Sequence, residues 1–362
     1  MRRIAEEVGD AAVRSKDIVS LWSVVTDVLC AVIPEVWDTC WYSVDPASLL
    51  VTSHYRQGRA QVPAKLLEEL IIHEHYADDV NRIADLGRSA SGMSGIHEAT
   101  GGDPGVSSRR RRGLEVGSDQ ELRVTLRTGA KETWGALSLY REEGRPPFDA
   151  DTHALLRTIA PVVAQGMRHM LLQDTGDGDA GNGGESSIAA EDTPGLVILD
   201  RAFAVRSTSP GTERWLRRLP DNDPDAGRLP TAVLSVAAAA LRAADRNEAM
   251  AQAPLARVTS PDGGRLALYG THVPGQGIGE GVAVIIEHAS PGRMLPLLMS
   301  AYALTDRERD VVRLILRGRS TAQIAACLFV TPHTVQQHLK SVFAKTGVRS
   351  RRDLVGIFLS GQ

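Results

Sequence analysis

His333, Gln336, Gln337 and Lys340 fall at i, i+3, i+4 and i+7, the spacing that gathers side chains on one face of an α-helix. Their types suit reading base edges. A glutamine amide bonds adenine in a bidentate way, whereas a lysine ammonium prefers guanine or a phosphate. Val335, Leu339, Val342 and Phe343 occupy the opposite face of the same stretch, so burying the apolar row would turn the polar row outward. Any solvated helix carries such a row; capping, charge and placement must separate a reader from a wet surface.

The elements around this row are well signalled. Thr305-Asp306-Arg307-Glu308 has the spacing of a capping box, and Val311, Val312, Ile315 and Leu316 continue at helical period until Gly318. Ser320 opens a short second helix through Ile324, Ala325 and Leu328. Thr331-Pro332 places a cap and then proline at the first helical position, where its missing N–H costs nothing. Gly347 ends that third helix, and Ser350 caps a fourth with Leu354, Val355, Ile357 and Phe358 on its apolar side. These helices predict a helix-turn-helix variant whose third helix enters the major groove. Ten cations face four anions after residue 300, a net +6 in a chain of net −3, so the first 300 residues carry −9. A basic tail on an acidic body suits a phosphate partner.

Other chemical constellations are weaker. His73 and His75 stand at i and i+2, not the i and i+4 that one metal ion requires, so His73 to Asp79 reads as a solvated helix end. The alternative puts Tyr76 or Asp79 at the entrance of a ligand pocket. The run Ser107 to Arg112 reads as a solvated loop, with an anion clamp as its alternative. Trp41, Tyr42, His54 and Trp134 read as core or pocket wall rather than haem ligands. Gly275 to Gly279 precedes a strand and so fails the context of a dinucleotide fingerprint. Cys30, Cys40 and Cys327 read as reduced, mostly buried thiols. No catalytic or metal-ligating set and no cofactor is expected.

With 362 residues, 43% apolar, the chain supplies ample core for two or three domains. It has no long apolar run and no leader pattern, so a cytoplasmic protein without membrane contact is expected. A helix ends near Pro34; strands cover Asp38 to Val44 and Leu49 to Tyr55; a helix covers Lys65 to Tyr76. After a Gly/Ser-containing stretch from Gly87 to Gly117, strands Glu121 to Arg127 and Thr133 to Tyr140 pair across Gly129, and a helix runs from Asp149 to Leu172. This order predicts an α+β sheet with helices on one face over residues 1–172. Residues 173–192 are a polar flexible linker. A second α+β unit follows over 193–290: strands at Gly195 to Asp200 and Phe203 to Arg206, a helix bearing Trp215, a helix from Thr231 to Ala244, and three closing strands. Residues 291–303 form a connecting helix into the 304–362 unit.

The run LTDRERDVVRLILRGRSTAQIAACLFVTPHTVQQHLKSVFAKTGVRSRRDLV resembles the C-terminal domain of LuxR-type transcription regulators. That resemblance implies base contacts from Gln336, Gln337 and Lys340, phosphate contacts from Thr321, Thr331, His333, Thr334 and Arg351, and dimer pairing through Leu354, Val355 and Phe358. Gln336 stands where the family often has lysine, so the family's operator preference does not transfer. Residues 1–172 resemble a GAF domain, carried by CWYSVDPASLLVTSHY and WGALSLYREEGRPPF, and 193–290 resemble a PAS fold, carried by PGLVILD and PDGGRLAL. Together they imply a multidomain, sequence-specific regulator: a homodimer on double-stranded DNA, answering an unknown small-molecule or protein signal, with RNA polymerase as a candidate partner. The second reading is a ligand- or partner-binding regulator with only weak DNA contacts.

Overall fold

The computed structural model describes residues 2–129, 132–173, 193–223, 227–247, 253–275 and 280–359. These fall into two compact units, one carrying both β-sheets up to His288 and one starting at Ala289 that holds the C-terminal helices. The expected linker lies outside the described residues except for Gln173.

In chain order the first module contains α1 (Arg2–Arg14), α2 (Ile18–Val32), β1 (Asp38–Val44), β2 (Val51–Gly58), α3 (Ala64–Tyr76), α4 (Ile83–Arg88), β3 (Met93–Gly95), α5 (Ile96–Thr100), α6 (Ser108–Glu115), β4 (Ser118–Arg127), β5 (Thr133–Glu142) and α7 (Ala150–Gln173). Its antiparallel sheet has the order β2-β1-β5-β4-β3. The second module contains β6 (Gly195–Asp200), β7 (Val205–Thr208), α8 (Thr212–Arg217), α9 (Thr231–Asp245), β8 (Leu255–Thr259), β9 (Arg265–Val273) and β10 (Gly281–His288), and its sheet order β7-β6-β10-β9-β8 repeats that topology.

Helices cover both faces of the first sheet, not one. Trp41 on β1 stacks on Trp22 of α2 at 6.0 Å and donates its indole N–H to Thr26. Its neighbours Cys40 and Tyr42 point the other way, into a cluster with Ile71 of α3 and Leu234 of α9. The polar alternation of β4 is therefore buried as well. Glu121 and Arg123 are 6% and 2% exposed and pair with each other, with Glu74 and with Arg109. Period-two patterning assumes that one face meets water, and here that face meets α6 and α3.

Two expectations change for the same reason. The arginine run is helix α6, capped by Ser107, with Arg109 and Arg110 buried on Glu121 and Asp119. Within residues 73–79, Glu74 and His75 are buried: Glu74 bonds Arg123, and His75 Nε2 accepts the Val51 amide at 3.3 Å. Burial lowers His75 to a pKa of about 4, keeping the ring neutral. Tyr76 donates to Asp245 of α9, while Asp79 accepts from Ser108 and the Arg109 amide. Of the thiols, only Cys40 is buried, and burial raises it to about 12; Cys30 and Cys327 are exposed.

The two modules share one interior. Helix α9, alanine-rich and buried along most of its length, packs on its own sheet and against α3 and β2 of the first module. Asp45 and Arg257 form a buried cross-module pair at 2.7 Å. No described helix is long and apolar enough to cross a membrane.

Candidate nucleic-acid interface

The C-terminal unit comprises α10 (Pro291–Ala301), α11 (Asp306–Leu316), α12 (Thr321–Leu328), α13 (Pro332–Thr346) and α14 (Arg351–Leu359). Each expected cap is present. Thr305 and Glu308 form a complete capping box, as do Ser320 and Gln323. Thr331 accepts the Thr334 amide at 3.1 Å, Pro332 takes the first helical position, and Gly347 closes the helix at φ +74°. Gly318 adopts φ +75° after α11.

On α13 the burial divides as the periodicity predicts. Val335 and Val342 are fully buried, whereas His333, Gln336, Gln337 and Lys340 are all exposed on the other side. Gln337 Nε2 and His333 Nε2 lie 3.4 Å apart. Thr331 and Thr334 share a hydroxyl hydrogen bond of 2.9 Å at the start of the helix. Thr321, partly exposed, opens α12. Arg351 donates to the Arg319 carbonyl, beside the turn that joins α11 to α12. Arg317, Arg319, Arg349 and Arg352 are exposed.

One residue that sequence reasoning assigned only to a cap also positions this face. Glu308 is 4% exposed and accepts from the Thr305 amide at 2.7 Å, from Ser341 Oγ at 2.6 Å and from Lys345 Nζ at 2.6 Å. Burial works against its charge, but these partners outweigh burial and hold its pKa at about 2. Because Ser341 and Lys345 lie on α13, the carboxylate ties the exposed polar row to the start of α11. The capping-box spacing signals only half of that role.

The turn between α12 and α13 contains Phe329 at φ +56° and 95% exposed, an unusual backbone for a bulky side chain. Helix α14 departs from expectation. Leu354 and Phe358 are fully buried, with Phe358 edge-on to Tyr302 at 5.9 Å, so both serve the core of their own unit. Val355 is partly buried and Leu359 is 44% exposed. A single stripe does not face both its own core and a partner. Helix α10 belongs to that core, with Met294, Leu297 and Leu298 buried, and is more than a connector.

A second candidate site lies in the first module. A cavity of about 70 Å³ is lined by Tyr42, His54, Leu70, Ile71, Arg123 and Tyr140, among others. Tyr42 and His54 thus form wall, while Trp41 and Trp134 are core. Neither Tyr76 nor Asp79 lines it. Among the described residues no His, Cys, Asp or Glu group is placed to hold a metal ion.

Residues 302–358 match the model of bacterial regulatory proteins of the luxR family. The spore germination protein GerE of Bacillus subtilis is 38% identical over 52 residues, which is 14% of this chain and 70% of that protein. The chain belongs to the luxR family. Its luxR segment is 57% identical over 53 residues to a Mycobacterium tuberculosis chain whose name places it among HTH-type transcriptional regulators. That match covers 15% of this chain and 6% of the relative, so the chain spans only a small part of the mycobacterial relatives' length. The nitrate/nitrite response regulator protein homolog of Haemophilus influenzae is 47% identical over 49 residues, 14% of this chain and 24% of that protein. Among solved structures, a Vibrio cholera VqmA–ligand–DNA complex aligns at TM-score 0.23 and 21% identity, covering 46% of this chain and 80% of that one. The Escherichia coli DhaR(N)–DhaL complex aligns at TM-score 0.24 and 13% identity, covering 80% and 87%. Similarity at that level carries no fold assignment for the N-terminal half.

Proposed function

We propose that this luxR-family chain is a sequence-specific DNA-binding transcription regulator that works in the cytoplasm as a dimer and responds to a signal through its N-terminal half. The observation that carries the reading is the exposed row His333, Gln336, Gln337 and Lys340 on a helix capped at both ends and held by Glu308. In this reading Gln336, Gln337 and Lys340 discriminate bases at about 1–3 kcal/mol per good bidentate pair. Thr321, Thr331, His333, Thr334 and Arg351 hold phosphates and set the register. A dimer presents two such helices to successive major grooves about 34–36 Å apart. Val355, Ile357 and Leu359 are the apolar side chains of α14 that keep exposure for pairing, in place of the buried Leu354 and Phe358.

The N-terminal half is read as sensory, GAF-like in the first module and PAS-like in the second. The repeated sheet order and the cavity support this reading. The signal is a small molecule or protein, with RNA polymerase a candidate partner downstream. Selection from a random DNA pool at fixed salt tests the function. The full chain should enrich a two-fold symmetric motif, and a Gln336→Ala, Gln337→Ala, Lys340→Ala variant should lose it. No enrichment by the full chain, at salt low enough for non-specific binding, would count against sequence-specific recognition.

A further inference from the structure

The wall of the first module's cavity reaches polar groups of the second module through His54. His54 lines the cavity and stacks on Tyr42 with ring centroids 6.3 Å apart. Its remaining polar contacts belong to the second module. The His54 amide donates to Asp221 Oδ2 at 3.4 Å, and its Nδ1 lies 3.7 Å from that carboxylate and 3.5 Å from Thr231 Oγ1. Asp221 accepts the Thr231 amide at 3.2 Å, at the first residue of α9. The His54 and Asp221 side chains are each 7% exposed, so solvent hardly substitutes for these partners. Three residues further along α9, Leu234 enters the cluster of Cys40, Tyr42 and Ile71, which line the same cavity. Wall and helix therefore meet at two points.

The wall also limits what enters. Its buried charges are already matched: Arg123 with Glu74 and Glu121, Arg109 with Glu121, and Arg56 with Asp38. Arg112 pairs with Glu69. A charged ligand would shed its hydration without meeting a free counter-charge, whereas Leu67, Leu70 and Ile71 favour an apolar body.

We propose that this cavity takes a compact uncharged ligand and that His54 passes its occupancy to α9 of the second module. This rests on the sensory reading of the N-terminal half and is independent of the DNA-binding unit. A ligand packed on the Tyr42–His54 pair bears on the ring that Asp221 and Thr231 hold, and it biases α9 by as much as its affinity differs between the two arrangements.

Phenol and benzoate carry the same ring without and with a charge. Each is titrated into the full chain while tryptophan emission and amide exchange of residues 228–236 are followed. Phenol should saturate and bind at least about tenfold more tightly than benzoate, slowing exchange in the first turn of α9. In Asp221→Asn, which keeps the size of the side chain, and separately in His54→Gln, phenol should still saturate while the α9 response disappears. Equal binding of benzoate, or saturation by neither compound, would overturn the ligand class. An α9 response that survives in both variants would overturn the role of His54. A DNA duplex titrated at low salt into the same samples separates the two readings: lost DNA binding with an intact phenol response counts against the regulator and leaves this proposal standing.

Discussion

Glu308 shows how one carboxylate serves a local and a tertiary purpose together, capping α11 while bonding Ser341 and Lys345 on α13. Its folded pKa of about 2 lies below the ordinary 4.5, so its contribution is fully present above pH 4.5 and is lost as pH falls toward 2. Glu308→Gln should therefore cost the C-terminal unit about 2–3 kcal/mol at neutral pH. The deficit relative to the unsubstituted chain should shrink through that acidic window. Amide exchange of α13 in the full chain measures it, and a deficit independent of pH would remove the charge from the explanation.

At the level of elements, the α12–α13 turn places Phe329 in a left-handed conformation with its ring in solvent. The ring contributes little burial there, while the backbone costs a side-chain-bearing residue about 1–2 kcal/mol. Glycine removes that strain but adds chain entropy to the unfolded state, of about 0.5–1 kcal/mol. Phe329→Gly should be neutral to stabilising by up to about 1 kcal/mol, and Phe329→Val destabilising, as read by exchange protection of α12 and α13. A marked loss in the glycine variant would mean that the ring makes a contact needed for folding. Helix α6 teaches a related lesson. Four consecutive arginines read as a solvated loop because like charges repel, yet Glu121, Asp119 and Glu69 from other elements absorb three of them.

For the whole molecule, the two sheet modules are one folding unit rather than beads on a linker. The buried Asp45–Arg257 pair and the sharing of α9 between two cores make separation costly. A protease site placed at residues 180–186 should, once cut, leave fragments that elute together in gel filtration under native conditions; separate elution would overturn the shared core. The C-terminal helices were legible from sequence almost residue by residue, because caps, proline and glycine positions and a 3.6-residue apolar period are local properties of the chain. Strand placement was nearly as legible: β1 and β6 keep the expected bounds. The polar row on α13 likewise followed from spacing alone. Tertiary structure decided what lies on the far side of each element. Burial of Glu74, His75, Arg109 and Arg123, the second role of Glu308, and the inward turn of Leu354 and Phe358 depend on neighbours distant in the chain. A charged or apolar side chain has the same local pattern whether water or another element faces it, and only the packed fold distinguishes the two.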